Sequence, residues 1–305
     1  MPIPEKQGQN QNQFWPLVAL FATALMWSLG GVAFKPLTWQ GAPNSDWLIA
    51  SWRSVFAALA FLLIYMAGRR KEGLKLPALT AKMLLPSLAY AALVLTFVVS
   101  TRWTSTAEAV FLQYTAPSFA ALILWLGFKK RQSQTDVQAI VLGAIGLALL
   151  FANQVLNHGQ GSMLGNLIAV LSGLCFAVYC TAPKAPEDRI AILFWGNLLA
   201  STPALLALLQ GSQPPADVAG SLALYSMLTT VLPFIAFGWA SHRCGELSSL
   251  LITSLEPVLA TIWAVSFFGE KLNLLMTAGC LLVLAASLLS GPMVALVRAK
   301  LNPGK

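Results

Sequence analysis

A carboxylate followed at once by a proline, Glu256-Pro257, stands inside an apolar run from Leu250 to Glu270 that is long enough to cross a bilayer. A charge at that depth costs roughly 2.5–3.5 kcal/mol on insertion scales. Proline removes a backbone donor and opens the helix ladder. Both are tolerated where protein or a wet cavity surrounds them. Two chemistries fit Glu256. One is a carboxyl facing a cavity, exchanging a proton or contacting a cation. The other is a permanently hydrogen-bonded carboxyl that satisfies polar groups freed by Pro257, with Thr253, Ser254 and neighbouring helices as partners.

A second run of this design lies earlier, Phe111 to Lys130, with Pro117 matching Pro257 at an offset of 140 residues. Each proline deprives the carbonyl four residues before it, on Gln113 and on Thr253, of its helical donor. A freed carbonyl at mid-membrane can bind an ammonium or a water, or simply mark a kink that shapes a cavity. Pro233 and Pro203 are further kink candidates. Arg53 is the other charge inside an apolar run. It could snorkel to the nearer surface, pair with Glu256, or bind a substrate carboxylate. Tyrosines and tryptophans offer a flat apolar face and one donor. The candidate substrate contacts are therefore Trp27, Arg53, Tyr90, Gln113, Tyr114, Tyr179, Glu256 and Trp263. Trp15, Trp39, Trp47, Trp103 and Trp125, near run ends, fit an interfacial aromatic belt.

The elements that must position these residues are membrane helices. The 305-residue chain is 57% hydrophobic and 10% charged, with mean hydropathy +0.70, and runs of about 18 or more apolar residues mark such helices. Ten runs are expected as spans: 14–34, 46–67, 83–101, 107–128, 137–156, 164–183, 190–209, 222–241, 247–269 and 273–297. Short joints with turn chemistry separate several of them, as at 40–44 and 211–215. The polar stretch 1–13 reads as a disordered tail. The first run is too long for a signal peptide's apolar core. Cys175, Cys180, Cys244 and Cys280 show no metal-ligand spacing and read as small packing residues. No metal and no cofactor is expected.

Lysine and arginine give an orientation. With a cytoplasmic N-terminus, 15 of the 19 basic residues fall in inside segments and Lys35, Arg102 and Lys271 outside, Arg53 being within a span. Both termini are expected in the cytoplasm, with residues 298–305 as a basic tail. The net charge of +8 is thereby accounted for by loops against anionic headgroups, and no nucleic-acid partner is implied.

The two halves carry the same features in the same order. Leu25–Lys35 aligns with Leu174–Lys184, pairing Trp27 with Phe176, and Gly143 aligns with Gly279 after a small gap. Each half, 14–156 and 164–297, then holds five spans, and an odd number per repeat inserts the second copy upside down. The expected fold is all-α, ten transmembrane helices as two inverted five-helix repeats. Such repeats are a mark of secondary transporters, with the site near the midplane.

The chain resembles the drug/metabolite transporter superfamily, EamA type. The resemblance is carried by Leu255-Glu256-Pro257-Val258, by Phe268-Gly269-Glu270-Lys271-Leu272, by the Gly- and Ala/Ser-rich last span, and by Trp52-Arg53. It implies export or exchange of small metabolites, often amino acids or related compounds, across a bacterial inner membrane. It also implies a central cavity lined by spans 1, 3, 4, 6, 8 and 9. One departure is that Lys129-Lys130 stands where the first copy would end in a Gly-Glu like Gly269-Glu270. Lipophilic-cation efflux coupled to protons through Glu256 is the alternative, and a channel a further one. No P-loop is present, so a gradient must drive transport. No H-E-x-x-H, no G-x-S-x-G and no pair of intramembrane aspartates points to an enzyme. A monomer and a homodimer both fit.

Overall fold

A computed structural model describes residues 14–30, 37, 39, 45–68, 76–104, 106–129, 133–158, 162–268 and 274–289. The two tails, the 40–44 joint, Lys35 and Gly269-Glu270 lie outside the described residues. Among those described, 87% are helical and no strand occurs. Taken in order, the helices are α1 (Phe14–Ser28), α2 (Ser45–Gly68), α3 (Ala81–Trp103), α4 (Thr106–Gln113), α5 (Ala116–Phe128), α6 (Gln134–His158) and α7 (Met163–Thr181). They continue with α8 (Arg189–Ala200), α9 (Thr202–Leu209), α10 (Ala216–Ser226), α11 (Leu232–Cys244), α12 (Glu246–Thr253), α13 (Glu256–Phe268) and α14 (Leu274–Leu288). Each expected span has a helix or a broken pair at its place. Five are long and apolar enough to cross a bilayer: Ser45–Gly68, Ala81–Trp103, Ala109–Phe128, Met163–Thr181 and Ala216–Cys244. The pair α8/α9, bent by 46°, makes a sixth if it is taken as one span.

Proline explains where the helices break. Pro117, Pro203 and Pro257 each occupy the second residue of α5, α9 and α13, where the missing N–H has no intrahelical partner to lose. Pro233 acts differently. A π-helical turn, Met227–Val231, precedes it, and the helical segment from Ala216 to Cys244 counts as one span. At the turn between α11 and α12, Gly245 has φ +86°, a conformation that a side chain would strain. Gly211 closes the other expected joint, its N–H donating to the Leu208 carbonyl at 3.0 Å.

The helices pair in a pattern that exchanges the two halves. α3 packs on α7 and α1 on α11; α4 and α5 pack on α7, and α12 and α13 on α1; α2 packs on α8, and α6 on α14. Each pairing maps onto another, or onto itself, when spans 1–5 are swapped with 6–10. Gly146 makes the α6–α14 contact close: a Cβ there would lie 2.9 Å from the Gly279 carbonyl oxygen. Gly143 lies in the same contact, a Cβ there standing 3.4 Å from Ala286 Cβ.

The largest core cluster includes Phe61, Tyr90, Ile192, Leu193 and Leu250. Large aliphatic side chains such as Leu63, Leu88, Leu126 and Leu206 face outward. In water such a surface would drive association; against lipid tails it carries no such penalty. Trp15 and Trp125 also face outward, as a belt requires. Trp39 does not: it is buried against Leu48, Ile49, Val218 and Leu222. Trp103 turns inward too, donating Nε1–H to Asp46 Oδ2 at 3.2 Å.

Candidate functional site

The two helix breaks fall at the same offset as their prolines. α4 ends at Gln113 and α5 starts at Ala116; α12 ends at Thr253 and α13 starts at Glu256. In each break one amide turns to the carbonyl three residues back, Thr115 to Leu112 and Leu255 to Ile252, both at 3.2 Å. The carbonyl freed by Pro257 is taken up by the other repeat: Tyr114 Oη lies 2.7 Å from the Thr253 oxygen. The same phenol lies 2.6 Å from Glu256 Oε2, and Glu256 is only 3% exposed. The carboxyl therefore bonds to Tyr114. Of the expected partners it is a neighbouring segment that supplies this bond, while Ser254 and Thr253 direct their hydroxyls to the backbone carbonyls of Leu251 and Ser249.

Gln113 is held from the other side. Its Nε2 donates to Ser172 Oγ at 2.8 Å, and its carbonyl oxygen abuts Gly173, where a Cβ would stand 2.6 Å away. A cavity of about 250 Å³ lies beside the breaks, lined in part by Tyr114, Pro117, Ser118, Gly143, Leu251 and Ser254. Its walls are mostly apolar, and its size falls just under the range usual for small-molecule pockets.

A second cluster is aromatic. Trp27 of α1 contacts Phe176 of α7 at 5.7 Å between ring centroids, and Phe234 and Phe237 of α11 at 5.2 and 5.6 Å. Phe234 in turn meets Tyr90 of α3 at 4.8 Å and Tyr179 of α7 at 6.0 Å, and Tyr90 meets Tyr179 at 5.3 Å. Four helices, two from each half, thus bring their rings together, several in the edge-to-face geometry that aromatic quadrupoles favour. Asn197 Nδ2 donates to Tyr90 Oη at 3.2 Å. Lys184 caps the end of α7, donating to the Tyr179 and Cys180 carbonyls at 2.6 and 2.9 Å, and its ammonium lies 4.9 Å from the Tyr179 ring centre. Trp263 of α13 closes on α1, its Nε1–H donating to Ser28 Oγ at 2.9 Å.

Arg53 of α2 is anchored on α3. It is 4% exposed, and its Nη2 donates to the Val94 carbonyl of α3 at 3.3 Å, while its own carbonyl accepts from Ser226 Oγ at 3.0 Å. Snorkelling outward is thereby corrected: α3, α8 and α10 pack against α2 and enclose the side chain.

The structure thus brings together Trp27, Tyr90 and Tyr179 in one cluster and Tyr114 and Glu256 in another, with Gln113 beside the second. It adds Phe234, Phe237, Ser172 and Gly173, which were not singled out as candidates. Phe176 had a sequence cue, its repeat alignment with Trp27. Ser172 and Gly173 had none, because a small residue matters only once its neighbour is known. Among the described residues, no group of three or more His, Cys, Asp or Glu could hold a metal ion.

One family model matches the chain twice. The EamA-like transporter family matches residues 14–152 and again 163–291. A Bacillus subtilis (strain 168) protein named "Uncharacterized transporter YoaV" is 21% identical over 278 residues, 88% of this chain and 93% of its own. A second from the same strain, "Uncharacterized transporter YcbK", is 24% identical over 164 residues, 50% of this chain and 53% of its own. A solved crystal structure superposes with a TM-score of 0.69 at 15% identity, covering 90% of this chain and 97% of that one; at that identity the likeness speaks for the fold alone.

Proposed function

Because the chain belongs to the EamA-like transporter family of the drug/metabolite transporter superfamily, we propose that it is a secondary transporter for a small metabolite, an amino acid or related compound. It exports or exchanges that solute across the bacterial inner membrane by alternating access. In this reading ten helices form two inverted five-helix repeats with both termini cytoplasmic. The exchange of helix pairings between the halves supports that arrangement, as do the two breaks at one offset.

One observation carries the proposal. The rings of Trp27, Tyr90, Phe176, Tyr179, Phe234 and Phe237 converge from two helices of each matched segment. A site at the repeat interface is where rocking of one half against the other exposes a solute first to one side and then to the other. The rings touch one another here, so a solute enters by parting them. A flat or apolar side chain would stack on them.

A second reading, proton-coupled efflux of a lipophilic cation, is favoured by the buried Glu256 alone. Flux in proteoliposomes separates the two. A panel of labelled amino acids and a lipophilic cation is tested with and without a proton gradient, in wild type and Glu256→Gln. Saturable amino-acid flux lost on Trp27→Ala supports the metabolite reading. Gradient-driven flux of the cation alone, abolished by Glu256→Gln, replaces it with the second. Ohmic, non-saturating conductance refutes both in favour of a channel.

A further inference from the structure

Proton counting at Tyr114 leads beyond the transport reading. Tyr114 Oη is 2.7 Å from the Thr253 carbonyl oxygen and 2.6 Å from Glu256 Oε2. A phenol carries a single proton, a carbonyl oxygen has none, and an ionised carboxylate has none. Both separations are those of ordinary O–H···O bonds. Two such bonds need two protons, and after Tyr114 has supplied one the other can come only from Glu256. Were Glu256 ionised, one of the two contacts would press two oxygens together with no proton between them, and Glu256 is only 3% exposed.

We infer that Glu256 is held as the neutral acid in this conformation, its O–H donating to Tyr114 Oη while Tyr114 O–H donates to the carbonyl that Pro257 frees. Tyr114 is then a positioning residue, a latch between the break in the first repeat and the break in the second, and the latch holds only while Glu256 keeps its proton. On losing it, Glu256 becomes an acceptor with full charge. The one proton of Tyr114 turns to this stronger acceptor, and the Thr253 carbonyl is left buried and unpaired. Loss of a proton and weakening of the contact between the two helix breaks become a single event.

No other strong acid or base is needed to set this balance. Of the helices packed on α13, α1 holds no ionisable side chain and α14 holds only Cys280; α4 holds Glu108, six residues before Tyr114. The inference rests on hydrogen-bond geometry and is independent of which solute the protein moves.

Infrared spectroscopy of the purified, reconstituted protein tests it without any flux assay. A neutral carboxyl has a C=O stretch well separated from that of a carboxylate, and carbon-13 at the glutamate side-chain carboxyl identifies a glutamate's band with no substitution. The expected result is one glutamate carboxyl band in the neutral-acid region at neutral pH, lost in Glu256→Gln and shifted in Tyr114→Phe. If all glutamate carboxyls of the unaltered chain absorb as carboxylates at neutral pH, the inference is overturned. It is equally overturned if the Glu256 band persists at the same frequency in Tyr114→Phe. The first outcome needs no variant to fold, and size-exclusion elution shows whether the Tyr114→Phe protein is folded before its band is read.

Discussion

Alanine at Gly173 would place a methyl group against the backbone of the first helix break. Its Cβ would stand 2.6 Å from the Gln113 carbonyl oxygen and 2.7 Å from Thr115 Oγ1. Carbon–oxygen contacts close at about 3.3 Å, so α4 and α7 must part locally by about 0.7 Å. Overpacking of a filled core costs typically about 1–3 kcal/mol. The obstacle here is a main-chain carbonyl rather than the free end of a side chain, so about 2–3 kcal/mol is expected for Gly173→Ala. The shift also strains the Gln113–Ser172 bond of 2.8 Å and carries Tyr114, the next residue, away from Glu256. The assay is denaturant unfolding in mixed micelles, followed by tryptophan fluorescence. Gly220→Ala is the control: a Cβ there meets nothing within 4 Å, and a mid-helix glycine replaced by alanine gains about 0.5–1 kcal/mol. If Gly173→Ala unfolds within about 0.5 kcal/mol of wild type, the level of an inconsequential surface change, the close approach of α4 and α7 is wrong.

Phe234→Ala removes the ring that Trp27, Tyr90 and Tyr179 share and should cost about 3–5 kcal/mol in the same assay; Tyr90→Phe, which keeps the ring and loses only the Asn197 bond, should cost about 1 kcal/mol. Arg102 pairs with Asp46 where the two side chains are only 16% and 30% exposed and also donates to the Leu37 carbonyl at 3.1 Å, so Arg102→Ala should cost about 1.5–3 kcal/mol, with little relief in high salt because the pair is largely buried. For orientation, single cysteines in a background with Cys175, Cys180, Cys244 and Cys280 replaced should behave oppositely. Ser212→Cys should react with an impermeant thiol reagent on intact cells and Ser133→Cys only after lysis; the reverse pattern would invert the proposed topology.

What the sequence by itself determined is local. An apolar run announces a helix wherever it occurs, and a proline announces a break at its own position, so the helical class and the paired breaks at Pro117 and Pro257 were legible one segment at a time. Pro233 was legible as a disturbance, but whether it became a kink or a π turn depended on the helices around it. What the tertiary structure alone decided is which segment meets which. Tyr114 and Glu256 are 142 residues apart, and nothing in either run names the other. Arg53 could have reached water on sequence grounds, and lies enclosed only because α3, α8 and α10 close over it. In a water-soluble protein the contrast between apolar and polar faces shows which side of a helix is buried. Here lipid is as apolar as the core, so that contrast is erased, and the partners of each face follow from packing and from the few polar groups that must find one another.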